Sequence, residues 1–475
     1  MKSPTAYDHV ILISLDTLRS DCLGANPYRL WQERFPKLKM PSTSVLDDLA
    51  GSGAFFPNTI SGAPYTSASH ATVFTGQYPL RHGLYEFYNG KIKSPTIFAY
   101  GRMAGRRSIL KVDFPVILGK DLGFLRDIDR YLVEDDDGFI DAVLEAKSSI
   151  SCAHFGGIHV PYGFHNLRFG GVAYRNKVEA LETMLPSGVP LHRDQLTETY
   201  RQGDDVELFL RYKRVIHWLY ENGDYETLFG LYLEGIEHFL RARFAPFLDR
   251  LRARLDEARK TYLLVLFADH GHEFNELSFG NFNSLDEGVL RVPLIFAGHD
   301  VVPSLQTHRV RTADITPTVL DLIGLALPPE QVFDGKSLAA TVRQGEPLLE
   351  DRPAVAQAYT AYGDEFSEFQ TRQLSGDNPG PLRHVLIGEV AYSGQIRMVH
   401  RYFRYRQSFR KLEAVDEPAH FERFDTNLFP RPYSGPPREE LLAMLRSYNS
   451  TRSPAEEVAA MESVRQNLRG MGYHV

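Results

Sequence analysis

The chain is expected to fold as an α/β protein, a doubly wound and mostly parallel sheet with a smaller C-terminal α+β subdomain. Three observations carry that expectation. Apolar runs rich in branched residues, His9–Leu15 (HVILISL), Tyr262–Phe267 (YLLVLF) and the start of Ser149–Pro161 (SISCAHFGGIHVP), each stop at polar residues, the pattern of strands buried on both faces. Between them, Asp204–Lys260 spaces its apolar residues helically, with Pro246 its only proline, so strands alternate with helices. From about Ala354 the texture changes to short alternating stretches, His384–Val390, Gln395–Tyr402 and Phe421–Asp425, which read as an antiparallel sheet.

The elements follow in order. His9–Leu15 is the first strand, and Asp16 in DTLRSD falls at its carboxyl end, the edge of an open α/β sheet where ligands bind. Ala63–Gly83 (APYTSASHATVFTGQYPLRHG) opens in a Pro-bearing turn and continues as a helix ending at Gly76, with Thr66 at its mouth. Free N–H groups and the positive dipole end sit at such a mouth. Asn166–Thr199 has few periodic signals and is read as a loop inserted near the site. Val292–Ala297 (VPLIFA) is a strand, and Asp314–Gly324 (DITPTVLDLIG) a short helix with Pro317 in its first turn. Glu439–Tyr448 and Pro454–Gly472 close the chain as helical patterns. These divisions place a catalytic unit at residues 1–350, with 166–231 as an insertion, and a C-terminal subdomain at 351–475.

Composition narrows the functional classes. The 475 residues are 43% hydrophobic and 24% charged, with a formal net charge of −7 and no basic block, which argues against nucleic-acid binding. Only two cysteines occur, Cys22 and Cys152, read as core thiols rather than a disulfide or zinc framework. The apolar run near the N-terminus is too short for a secretory signal or a membrane span, so a cytoplasmic protein is expected. Lys111 and Arg107 read as solvated surface charge.

Asp16, Thr66 and the pair Asp269-His270 each follow a buried run or open a helix, and all converge on one sheet edge. Two carboxylates and an imidazole suit Mn²⁺ or Zn²⁺ better than Ca²⁺, which prefers oxygen alone. A hydroxyl bound to such a cation loses its proton far more easily, which makes Thr66 a candidate alkoxide nucleophile.

The same stretches resemble the alkaline phosphatase superfamily, in its sulfatase-like branch. The matching residues are LDTLRSD, PYTSASHATVFTGQYPLRHGL, HVP, FADHGHEF, LDEGVLRVPLIFAG, ADITPTVLDLIG with its trailing DGKSL, and LRGMGY. The resemblance implies that Asp16, Asp269 and His270 are metal ligands, with Thr66 where sulfatases carry the Cys or Ser that becomes formylglycine. Thr cannot yield that aldehyde, and Ala68 and His70 replace the Pro and Arg of the sulfatase signature. Thr-x-x-x-His is similar instead to phosphodiesterase-like and phosphonate monoester hydrolase-like members that use Thr directly.

By the same resemblance His159 contacts substrate oxygen and His70 serves as an anion donor or acid/base beside the nucleophile. Asn89 positions the transferring group, and Asn283 stands where the family often has His or Lys. One divalent metal is implied, with room for a second. The expected activity is hydrolysis of phosphate mono- or diesters, or phosphonate esters, through a phospho-Thr66 intermediate on a small anionic ester. The alternatives are a phosphotransferase using that intermediate, a sulfuric-ester hydrolase and a metal-containing binding protein. Oligomeric state is left open, homo-oligomers included.

Overall fold

A computed structural model describes residues 7–85, 90–163, 171–191, 204–276, 278–281, 284–325, 331–359, 386–405, 412–414 and 418–449. Its main sheet comprises β1 (His9–Leu15), β2 (Ala54–Ile60), β3 (Arg107–Val112), β4 (Arg130–Val133), β5 (Ser149–Phe155), β6 (Tyr262–Phe267), β7 (Arg291–Gly298), β8 (Ser304–Leu305) and β9 (Val310–Arg311). The strand order is β8-β2-β7-β6-β1-β5-β3-β4, with β9 also pairing β2. β1 lies parallel to β5 and β6, and β3 parallel to β5 and β4. β7 runs antiparallel to both β6 and β2, so the sheet is mixed.

All seven residues of β1 are buried, because helices cover both faces of the sheet. Successive side chains of a strand point to opposite faces. Ile11, Ile13 and Leu15 therefore enter a core with Phe155, Phe239, Phe244 and Phe247, whereas Val10 and Leu12 enter another with Phe74, Phe98, Leu110 and Val319. The first layer is built by the helices Asp204–Glu221, Tyr225–Phe239 and Ala245–Glu257, the last two joined through a π turn at Leu240–Phe244. Thr66–Thr75, Ile97–Met103 and Ile315–Leu322 cover the other face.

Within Asn166–Thr199, expected as loop, Gly171–Glu182 is helical. Its signal is Tyr174 and Val178, one helical turn apart and both buried; contact with the Asp204–Glu221 helix gives that short stripe a partner. A second, antiparallel sheet runs Ala354–Tyr359, Leu386–Ser393, Ile396–Arg401, His420–Phe424 and Pro430–Pro432 in sequential order. Glu439–Asn449 is helical and buries Leu441, Leu445 and Tyr448 against it. The expected terminal helix, Pro454–Gly472, lies outside the described residues. Among the described residues no helix is long and apolar enough to cross a membrane.

Candidate metal centre

Asp16 follows β1 directly, and its backbone N–H still donates to Phe155 O of β5 at 3.0 Å, so the sheet ladder fixes where its side chain starts. Asp269 and His270 follow β6, the neighbour of β1 on the other side. One ligand atom from each of Asp16, Asp269 and His270 lies within 4.8 Å of the others, and all three residues are buried. Thr66 opens the Thr66–Thr75 helix, which ends at Gly76 in the left-handed conformation (φ 66°). The Thr66 hydroxyl lies 3.4 Å from Asp16 Oδ2 and 3.2 Å from His270 Nε2. The structure thus brings together all four residues expected to hold a metal.

Their atoms suit a cation. His270 Nδ1–H donates to Gly271 O at 2.9 Å, leaving a lone pair on Nε2, the tautomer a metal-binding imidazole requires. That nitrogen is 3.5 Å from Asp269 Oδ2 and 3.7 Å from Asp16 Oδ1. Both of those buried oxygens lack a hydrogen-bond partner, an expensive arrangement for carboxylates unless a cation meets them. Burial, followed by the Asp269 charge, pushes the Asp16 carboxyl well above the usual carboxylate range, and a divalent ion would relieve both causes. The donor set fits the cation that the sequence implies.

The other carboxylate oxygens are tied down. Burial lowers the His154 pKa to about 4, so the ring is neutral. Its Nδ1 accepts from Asp113 N–H at 3.3 Å, and Nε2–H donates to Asp16 Oδ2 at 3.2 Å. Asp269 Oδ1 accepts from Thr17 N–H at 3.3 Å, and the Asp269 carbonyl accepts from Ser61 Oγ and Ser69 Oγ at 2.5 and 2.6 Å. Thr17 sits at φ 64°, an outlier for a β-branched residue that costs on the order of 1–3 kcal/mol.

His70 is placed behind Thr66 rather than beside its hydroxyl. Nδ1–H donates to Thr66 O at 2.7 Å and Nε2 accepts from Ser14 Oγ at 2.9 Å. Burial lowers its pKa to about 4, so it is a neutral ring with both nitrogens engaged. His159 is half-buried, donates Nδ1–H to Val160 O at 3.2 Å, and packs edge-on against Phe114. Burial holds its pKa at about 4, and the fields of His270 and Asp269 both reach it. Asn89 and Asn283 lie outside the described residues.

Residues unforeseen from sequence complete the surroundings. Asn281 donates Nδ2–H to Pro64 O at 2.8 Å and approaches His270 Nε2 at 3.3 Å. His154 lies in the apolar strand SISCAHF, where a lone His reads as core; its register opposite Ser14 of β1 brings it to the site. Lys111 is buried rather than solvated, bonded to Asp113 Oδ1 at 2.7 Å and Asp136 Oδ1 at 2.9 Å. Arg107 is exposed, as expected.

The mixed α/β sheet, with this cluster at the ends of adjacent strands, has the fold of several solved structures. The chain matches the sulfatase family model at residues 8–105 and 246–325. It is similar to a choline-sulfatase from Rhizobium meliloti, 32% identical over 145 residues that span 28% of this chain and 28% of that relative's length. By structure it is similar to a protein solved in complex with its substrate D-glucosamine-2-N,6-O-disulfate (TM-score 0.61, 14% identity, covering 94% of this chain and 98% of the other). A phosphonate monoester hydrolase from Silicibacter pomeroyi is likewise similar (TM-score 0.56, 16% identity, covering 94% and 95%). The chain spans less than a third of the length of the choline-sulfatase it matches.

Proposed function

We propose that the chain hydrolyses phosphate or phosphonate esters through a phospho-Thr66 intermediate, with Asp16, Asp269 and His270 holding a divalent cation, Mn²⁺ or Zn²⁺ before Ca²⁺. The observation that carries this reading is the placement of an ordinary Thr hydroxyl beside Asp16 Oδ2 and the His270 lone pair, in a cluster where one oxygen of each carboxylate has no partner. Threonine cannot be oxidised to formylglycine, so the route open to it is direct attack.

The cation, when bound, lowers the pKa of the Thr66 hydroxyl and offsets the charge of the two carboxylates and of the transferring group. Thr66 Oγ1 attacks phosphorus in line and the ester alcohol departs, the first-turn N–H groups of the Thr66–Thr75 helix facing the equatorial oxygens. Water then displaces Thr66 from phosphorus, releasing phosphate or phosphonate. His159 is assigned the proton transfers, as the resemblance of HVP implies. His70 holds the first turn of the helix through Thr66 O.

Sulfuric esters are the second reading, supported by the similarity to a choline-sulfatase and by the sulfatase family model. Matched nitrophenyl phosphate, phosphodiester, phosphonate and sulfate esters, assayed with Mn²⁺ or Zn²⁺, rank the two. Thr66→Ala is expected to lower phosphoryl turnover by about 10³-fold or more. Turnover that survives Thr66→Ala would remove Thr66 as nucleophile, and preferred sulfate release would establish the second reading.

A further inference from the structure

The turn after β1 is held in an unfavourable conformation, and one side chain spans it. Thr17, β-branched and at φ 64°, aims its N–H at Asp269 Oδ1. With Oδ1 engaged, Oδ2 is the oxygen left facing His270 Nε2 and Asp16. The turn therefore decides which Asp269 oxygen is offered to a cation, and it links the ends of β1 and β6. Tyr232 holds it from both sides: its hydroxyl donates to Thr17 O at 2.6 Å and accepts from Arg19 N–H at 3.1 Å. The phenol is fully buried, stacked on His272 (5.7 Å, 15°) and edge-on to Tyr162 (5.6 Å, 85°), so it has little freedom to follow a relaxing turn. It comes from the Tyr225–Phe239 helix, which lies between the two stretches matching the family profile.

We propose that Tyr232 is a positioning residue for the metal ligands Asp16 and Asp269, acting by holding Thr17 in the left-handed conformation. This rests on the reading of Asp16, Asp269 and His270 as a metal site. Without the hydroxyl, the buried Thr17 carbonyl and Arg19 amide lose their partner. The turn then relaxes toward a conformation that suits threonine, and the Thr17 N–H leaves Asp269.

The test is Mn²⁺ affinity by titration calorimetry of the full chain, with folding of each variant checked by circular dichroism. Tyr232→Phe is expected to weaken Mn²⁺ binding about 10- to 100-fold, the range seen when outer partners of metal ligands are removed. Glycine adopts a positive φ without restraint, so Thr17→Gly combined with Tyr232→Phe is expected to recover most of that loss. A residue that merely stabilised the fold would not be bypassed in this way. Wild-type affinity in Tyr232→Phe, or a double variant no tighter than Tyr232→Phe, would overturn the proposal. Should Tyr232→Phe not fold, the double variant is compared with Thr17→Gly alone. Equal affinities support the clamp, and a tenfold gap overturns it. If the wild type binds no Mn²⁺, or Asp269→Asn binds as tightly as the wild type, the metal reading itself fails and the clamp with it.

Discussion

Two buried clusters of carboxylates share the central sheet, and they are opposites. In the first, Asp113 and Asp136 meet Lys111 and Arg243: Arg243 Nη1 reaches Asp113 Oδ2 at 2.6 Å and Nε reaches Asp136 Oδ2 at 2.8 Å, beside the two contacts from Lys111. Two acids face two bases. Burial alone would raise both carboxyls, but the Arg243 and Lys111 charges win, holding Asp113 well below the usual carboxylate range and Asp136 below it. In the second, Asp16 and Asp269 face each other with one imidazole, burial and mutual repulsion push Asp16 upward, and an oxygen of each residue has no partner. His154 touches both clusters, through Asp113 N–H and Asp16 Oδ2. Burial and residue type are alike in the two, so neither marks a site. The deficit of positive charge does.

Neutralising one carboxylate in each cluster is the strongest way to break this comparison. Asp113→Asn leaves the buried Lys111 and Arg243 facing one carboxylate, and removing a partner from such a network costs about 3–5 kcal/mol. Asp16→Asn removes one of two repelling charges, so the metal-free protein is expected to lose nothing, or to gain on the order of 1 kcal/mol. Urea unfolding of both variants without metal measures the contrast. Equal losses would mean that the Asp16 cluster is as well compensated as the other.

The pH dependence of stability sharpens the same contrast at smaller amplitude. Asp113 is depressed in the native state, so its contribution is present above the unfolded carboxylate value of 3.8 and is lost as pH falls through its folded pKa. Asp16 in the metal-free protein is raised. Above 3.8 the native state still holds a proton that the unfolded chain has released, so its contribution is full below that value and is lost as pH rises through the raised pKa. Stability curves from about pH 3 to pH 7 are expected to lose their rising limb in Asp113→Asn and to flatten above about pH 4 in Asp16→Asn. Matching slopes in the two variants would contradict the assigned directions.

The parts of the candidate centre legible in sequence are those fixed locally. Asp16 follows an apolar run, Asp269 and His270 follow another, and Thr66 opens a helix closed by a left-handed glycine. Run length and capping are short-range properties, and the sheet's own geometry brings such ends together. His154 needed the register of β5 against β1, and Tyr232 needed the face of a helix more than 200 residues from Thr17. His70 shows the same limit in reverse. Four residues after Thr66 it could face the hydroxyl or the backbone, and only packing against Ser14 decides for the backbone. The runs of β1, β5, β6 and β7 were similarly plain, whereas β2, β3 and β4, the strand order and the antiparallel direction of β7 were not, since a fully buried run looks the same in either sense.

Lys111 and Arg107 give the smallest and most local version of the comparison. They stand on one strand, four residues apart, and their sequence surroundings read alike. Arg107 begins β3 with its side chain 69% exposed, and its guanidinium is 3.8 Å from Asp129 Oδ1, an exposed pair in which solvent screening leaves little net attraction. Lys111, one residue before the strand ends, is fully buried, its ammonium 3.9 Å from the centre of the Phe155 ring. Arg107→Ala is therefore expected to change stability by no more than about 0.5 kcal/mol, as read from urea unfolding, and to leave ester turnover unchanged. A larger loss would show that the exposed end of β3 shares in the buried network, and that the division between solvated and compensated charge does not fall between these two positions.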